Sequence, residues 1–189
     1  VKAHDDAIGH RALDVLDIHY YPTDIFNDDT SSTTSARRLR STRSFWDSTY
    51  TDEGWIGVDH WATSAQANSN VVWLIPRFQA LITNYYPGLK LGITEWSMGG
   101  EDHISGGLAV ADVLGVLGRE DVALATYWAT PTNSSPVYQA FRLYGNYDGA
   151  GSRFENVSVS ATSTDYSTLS AFAAQSFSGD RMTLVLVNK

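Results

Sequence analysis

The feature that most constrains this chain is a pattern that occurs three times. A short apolar run ending in aromatic or charged residues is followed each time by a segment with helix signals. The first run, residues 13–22, ends in His19-Tyr20-Tyr21 and is stopped by Pro22. The second, 89–96, ends in Glu95-Trp96, and the third, 122–128, ends in Tyr127-Trp128. Apolar runs of this length are expected to be covered on both faces, as parallel strands are. Three strand–helix units joined by right-handed crossovers make part of a barrel or of an open α/β sheet.

Between the strands the helix signals differ in clarity. Val71, Leu74, Ile75, Phe78, Leu81, Ile82 and Tyr85 share one helical face. Pro76 fits only the first turn, so this helix should start about residues 73–75, and Pro87-Gly88 ends it. A second helix is expected over 108–117, closed by Gly118. A third is expected over 137–143, with Ser135-Pro136 as cap and first turn. Residues 23–70 are polar and rich in Ser, Thr and Asp. A stretch this long is expected to be functional or to hold small elements of its own.

After Gly149-Ala150-Gly151 the helix signals stop. Residues 156–161, 169–176 and 182–188 are strand-like, with a turn at Ser178-Gly179-Asp180. We therefore divide the chain into an α/β part, 1–150, and an antiparallel β part, 151–189. Residues 1–6 have no signal-peptide layout and no initiator Met. There is no sequence repeat, low-complexity tract or heptad pattern.

Composition removes several function classes. Thirteen basic against 21 acidic residues give a net charge of −8, which repels a phosphate backbone and argues against a nucleic-acid partner. No apolar run approaches the roughly 18 residues that cross a bilayer. The absence of Cys excludes disulfides, thiolate catalysis and Cys-ligated zinc. No Gly-x-Ser-x-Gly elbow, phosphate loop or EF-hand spacing is present. The acidic pairs Asp5-Asp6, Asp28-Asp29 and Asp52-Glu53, with Glu101-Asp102-His103, could offer oxygen ligands, but no metal ligands can be assigned. The basic cluster Arg37, Arg38, Arg40 and Arg43 is read as solvated or paired with carboxylates.

Sites in parallel α/β folds gather at the C-terminal ends of the strands. That rule selects His19, Tyr21, Glu95, Trp96, Tyr127 and Trp128. A carboxylate at the end of an apolar strand must be hydrogen-bonded or face a polar cleft. Among aromatic rings it suits glycoside chemistry, in which rings stack on sugar C–H faces and the carboxylate attacks the anomeric carbon. A His or Tyr in the same layer could hold that carboxylate ionised and oriented.

Several segments together resemble glycoside hydrolase family 44. They are Leu16-Asp17-Ile18-His19-Tyr20-Tyr21-Pro22, the run 38–47 ending Phe45-Trp46-Asp47, Tyr50-Thr51-Asp52-Glu53-Gly54-Trp55-Ile56, Gly92-Ile93-Thr94-Glu95-Trp96 and Gly99-Gly100-Glu101-Asp102-His103-Ile104-Ser105-Gly106-Gly107. The family comprises endo-acting β-1,4-glucanases, several of which also act on xylan or xyloglucan. The resemblance implies barrel strands six to eight of a (β/α)8 fold, followed by part of an antiparallel β-sandwich. It implies a retaining mechanism with Glu95 as nucleophile. His19 and Tyr21 then lie beside the scissile bond, and Trp128 lies under the sugar. Trp46, Trp55 and Trp61 would line further subsites. It further implies a secreted enzyme with no catalytic cofactor, structural calcium in some members, and a β-1,4-glucan polysaccharide as partner. The family's Asn-Glu-Pro acid/base motif is missing, so that glutamate is expected on an N-terminal portion of the same enzyme. The alternative is a non-catalytic β-glucan-binding fragment that uses its Trp rings as platforms.

Overall fold

The computed structural model of this protein describes residues 1–22, 25, 28–54 and 71–189. In chain order its elements are α1 (Lys2–Ile8), β1 (Val15–Tyr20), α2 (Ser32–Ser41), α3 (Leu74–Tyr85) and β2 (Lys90–Trp96). These are followed by α4 (Ile104–Arg119), β3 (Leu124–Tyr127), α5 (Pro136–Gly145), β4 (Val157–Val159), β5 (Leu169–Gln175) and β6 (Met182–Asn188). β1, β2 and β3 form a parallel sheet in that order, and β4, β5 and β6 an antiparallel one. The α/β class read from the sequence is therefore the observed class.

The parallel sheet is covered on one side. Leu91, Ile93 and Trp96 of β2 join Tyr20, Val110, Val113 and Val116 in a single core. On the other side, Asp17, Gly92 and Leu124 form one row across the sheet, and Val15 Cγ1 lies 3.0 Å from where a Gly92 Cβ would be. Asp17, His19, Leu124 and Thr126 on that side are exposed. The expectation of strands covered on both faces thus holds for the middle strand and fails for β1 and β3. β1 buries Tyr20 on one face only, and β3 leaves Leu124, Ala125 and Thr126 all exposed.

The long polar stretch does hold structure. Ser31 Oγ accepts from the Thr34 amide and caps α2, and a 3-10 turn continues over Thr42–Phe45. Arg40 and Arg43 pair with Glu53 and Asp47 at 2.8 Å. Arg38 differs from its neighbours because it is fully buried. Its guanidinium donates to the carbonyls of Ile25, Asp29 and Met98 and to Ser105 Oγ, pinning α2 to the loop after β2. Burial pushes its pKa down, opposed by Asp29 and Asp28.

α4 runs from Ile104 to Arg119, further at both ends than 108–117, and Gly118 lies inside it. The His103 ring caps its first turn by accepting from the Ser105 amide. Three of its four glycines, Gly106, Gly107 and Gly115, allow close approach. A Cβ on Gly107 would come within 2.7 Å of Pro136, and one on Gly115 would enter the Phe172 ring. Tertiary packing of this kind outweighs the helix-breaking tendency of glycine. α5 starts as expected, with Ser135 Oγ accepting from the Tyr138 amide and Pro136 in the first turn.

The antiparallel sheet packs on α4. Phe172, Val185 and Val187 belong to the same core as the parallel sheet. Asp112 of α4 and Lys189, beyond β6, form a buried ion pair at 2.7 Å.

Candidate active site

The C-terminal ends of β1, β2 and β3 bring His19, Tyr21, Glu95 and Trp128 together. Tyr21 donates its hydroxyl to Glu95 Oε2 at 3.0 Å, and His19 Nδ1 lies 3.3 Å from the same oxygen. Among the described residues Glu95 Oε1 carries neither contact. The Trp128 ring meets Tyr21 edge-on, with centroids 6.3 Å apart, and is 62% exposed. Desolvation and the hydrogen bond to Glu95 push the Tyr21 phenol up to about 12, so it remains a donor at neutral pH.

The strand register explains this grouping. Ile18 faces Ile93, but His19 faces Glu95, so β2 carries one more residue than β1 at this point. β3 records the same excess, since Ile93 pairs with Ala125 and Trp96 with Tyr127. Strict alternation would send Glu95 into the core with Leu91 and Ile93 and turn Trp96 into the cleft. The bulge at Thr94 reverses both. Glu95 emerges beside His19, and Trp96 goes inward, where it is 1% exposed against Tyr127 and Phe141.

The aromatic residues selected from the sequence therefore separate. Trp96, expected to bind substrate, is a core residue, because the bulge turns it away from the cleft. Tyr127 packs against Trp96 and Phe141 and shares a hydrogen bond with Ser97 Oγ at 3.1 Å. Burial pushes its phenol up to about 12. Trp46 lies elsewhere, stacked edge-on with Tyr166 and under the Arg119 guanidinium. It lines a cavity of about 440 Å³ with Phe154 and Phe172, near the antiparallel sheet. Trp55 and Trp61 lie outside the described residues.

Comparison with known proteins gives the rest. No protein-family model matches the sequence. Endoglucanase A of Paenibacillus lautus is 39% identical over 96% of this chain, which spans 26% of that protein. The crystal structure of CelM2, a bifunctional glucanase-xylanase from a metagenome library, superposes with a TM-score of 0.89 at 42% identity. That match covers 98% of this chain and 34% of CelM2. A Paenibacillus polymyxa xyloglucanase from glycoside hydrolase family 44 superposes with a TM-score of 0.88 at 37% identity, over 100% of this chain and 37% of that one.

The chain belongs to glycoside hydrolase family 44.

It spans about a quarter of the curated endoglucanase and about a third of each solved enzyme. The other glutamates of this family 44 chain are committed elsewhere. Glu53 pairs with Arg40, Glu120 with Arg119 and Glu155 with Arg181, while Glu101 lies beside the Tyr127 hydroxyl. Among the described residues no three His, Asp or Glu side chains converge to hold an ion. Asp29 illustrates this, since its carboxylate is taken by the Ser31 amide and hydroxyl and by Thr34.

The sequence reading passed over Asp17. Its Oδ1 accepts from the Thr94 amide at 3.1 Å and from Thr94 Oγ1 at 2.6 Å, and its Oδ2 lies 4.0 Å from His19 Nε2. The available signal was its position two residues before His19, which puts both on one strand face.

Proposed function

We propose that this chain is the nucleophile-bearing part of a retaining endo-β-1,4-glucanase that acts on glucan, xylan or xyloglucan backbones. In this reading β1, β2 and β3 are strands six, seven and eight of a (β/α)8 barrel, and β4–β6 belong to a β-sandwich. Residues 1–150 and 151–189 divide accordingly. The exposed side chains of Leu184 and Leu186 support a second sheet over β6. The enzyme is secreted, because its polymer substrate lies outside the cell.

The observation that carries the reading is the pair of contacts on Glu95 Oε2. With Tyr21 and His19 holding that oxygen, Oε1 is the atom presented for attack. In the first step Oε1 bonds to the anomeric carbon and the glycosidic C–O bond breaks. The leaving oxygen takes a proton from a second glutamate, carried by the N-terminal portion of the longer enzyme about 5–5.5 Å from Glu95. In the second step that glutamate, now a base, takes a proton from water. The water oxygen bonds to the anomeric carbon and Glu95 is released. Trp128 offers its exposed ring to the sugar. No cofactor takes part.

The test is Glu95→Gln in the full-length enzyme, assayed on a soluble cellulose derivative. Turnover should fall by orders of magnitude while oligosaccharide binding persists. Near-normal turnover overturns the assignment. The alternative, a glucan-binding fragment built on several Trp platforms, is less well supported. Trp96 is buried and Trp46 is stacked, which leaves Trp128 as the described tryptophan with most of its surface free.

A further inference from the structure

The bulge that aims Glu95 has no ladder partners of its own, and side chains replace them. A residue inserted in the middle strand of a parallel sheet leaves its amide and carbonyl out of register with both neighbours. At Thr94 the amide donates to Asp17 Oδ1 of β1 at 3.1 Å, and the carbonyl accepts from the Thr126 hydroxyl of β3. Asp17 also accepts from Thr94 Oγ1 at 2.6 Å, so two donors of one residue fix its carboxylate. Asp17 and Thr126 therefore hold the extra residue from either side.

From this geometry we infer that Asp17 is a positioning residue for the nucleophile, acting through the Thr94 bulge. The inference rests on the reading of Glu95 as nucleophile. Without the bulge the strand returns to strict alternation, and Glu95 turns toward the core occupied by Leu91 and Ile93. Asp17 makes its contacts with Thr94 and His19, not with the Glu95 carboxylate itself. It sets the register that places Glu95 beside Tyr21 and His19. Its second oxygen, 4.0 Å from His19 Nε2, puts the imidazole between two carboxylates.

The test compares Asp17→Ala, Asp17→Asn and Glu95→Gln in the full-length enzyme on a chromogenic cello-oligosaccharide. A reacting group displaced by about 1 Å costs on the order of 100-fold in rate. Asp17→Ala should therefore lower kcat by about 100-fold with KM within about threefold of wild type. Asp17→Asn keeps a carbonyl oxygen that can accept from the Thr94 amide, and should recover kcat to within about tenfold of wild type. A general loss of structure would not give this split between kcat and KM, nor the rescue by Asn. Wild-type kcat in Asp17→Ala, or equal losses in the Ala and Asn variants, overturns the inference. If Asp17→Ala does not fold, Thr126→Val decides. A kcat lowered by about fivefold or more at unchanged KM supports the bulge, and wild-type kcat overturns it. An inactive Glu95→Gln beside an unaffected Asp17→Ala refutes only the positioning role. A Glu95→Gln enzyme with wild-type turnover refutes both readings.

Discussion

The buried pair between Asp112 and Lys189 sets the sharpest test of how the two sheets are joined. Both side chains are almost fully enclosed, at 2% and 3% exposed. Asp112 Oδ2 receives the Lys189 ammonium at 2.7 Å together with the Thr42 hydroxyl, while Oδ1 is buried without a partner. Lys189 Nζ also donates to the Tyr166 carbonyl at 3.0 Å. Removing one member leaves the other charge enclosed with one neutral partner, which costs about 3–5 kcal/mol. Asp112→Leu and Lys189→Met should each lose about that much. For a chain of this size the loss corresponds to a Tm lowered by roughly 6–20 °C. The half-satisfied carboxylate means that the pair adds little net stability. The double variant Asp112→Leu/Lys189→Met should therefore lie within about 1 kcal/mol of wild type, or above it. Additive losses would instead reach about 6–10 kcal/mol. The assay is urea and thermal unfolding of the four proteins, followed by circular dichroism. Single variants that cost less than about 1 kcal/mol, or a double variant equal to the sum of the singles, would refute the reasoning.

Two further outcomes follow from packing and charge. Gly115→Ala should destabilise by about 1–3 kcal/mol, because the new methyl enters the buried Phe172 ring, and Phe172→Leu in the same chain should recover part of the loss in urea unfolding. The Arg40 guanidinium, bonded to both Glu53 oxygens at 2.8 Å, holds that carboxyl below the usual carboxylate range. Its folded value is thus the lower one. Its contribution is complete above the unfolded pKa, about 4.3, and is lost as pH falls through the folded value. Glu53→Gln should flatten the fall in Tm between pH 5 and pH 3 by a small margin, since the pair is part-exposed and screened. An unchanged acid slope would argue against the pairing.

The six strands of the described residues were legible because each is a short apolar or alternating run closed by turn chemistry. Their boundaries moved by only a few residues, as from 13–22 to Val15–Tyr20. The ends of α4 were not legible. Gly106 and Gly107 carry weak helix propensity, and whether they continue a helix depends on what packs against them. Pro136 lies against Gly107, and that contact is invisible locally. The pairings of Arg40 and Arg43 follow the charge pattern, whereas the burial of Arg38 depends on carbonyls distant in sequence.

The active-site grouping shows a similar limit at single-residue scale. Topology alone takes the chemistry to the C-terminal strand ends, and so finds His19, Tyr21, Glu95 and Trp128. Which way each side chain points depends on period two, and on β1 that rule works: Tyr20 enters the core while His19 and Tyr21 face the cleft. On β2 the same rule fails, because Thr94 adds a residue. Nothing in Gly-Ile-Thr-Glu-Trp marks the insertion, since the groups that stabilise it, Asp17 and Thr126, come from other strands. Their partner, Thr94, looks in sequence like an ordinary β-branched strand residue. Trp96 and Glu95 thus exchange the faces that alternation assigns them. The exchange yields a part-exposed carboxylate beside His19 and Tyr21 on one side and, on the other, a Trp96–Tyr127–Phe141 cluster that backs the strand carrying it.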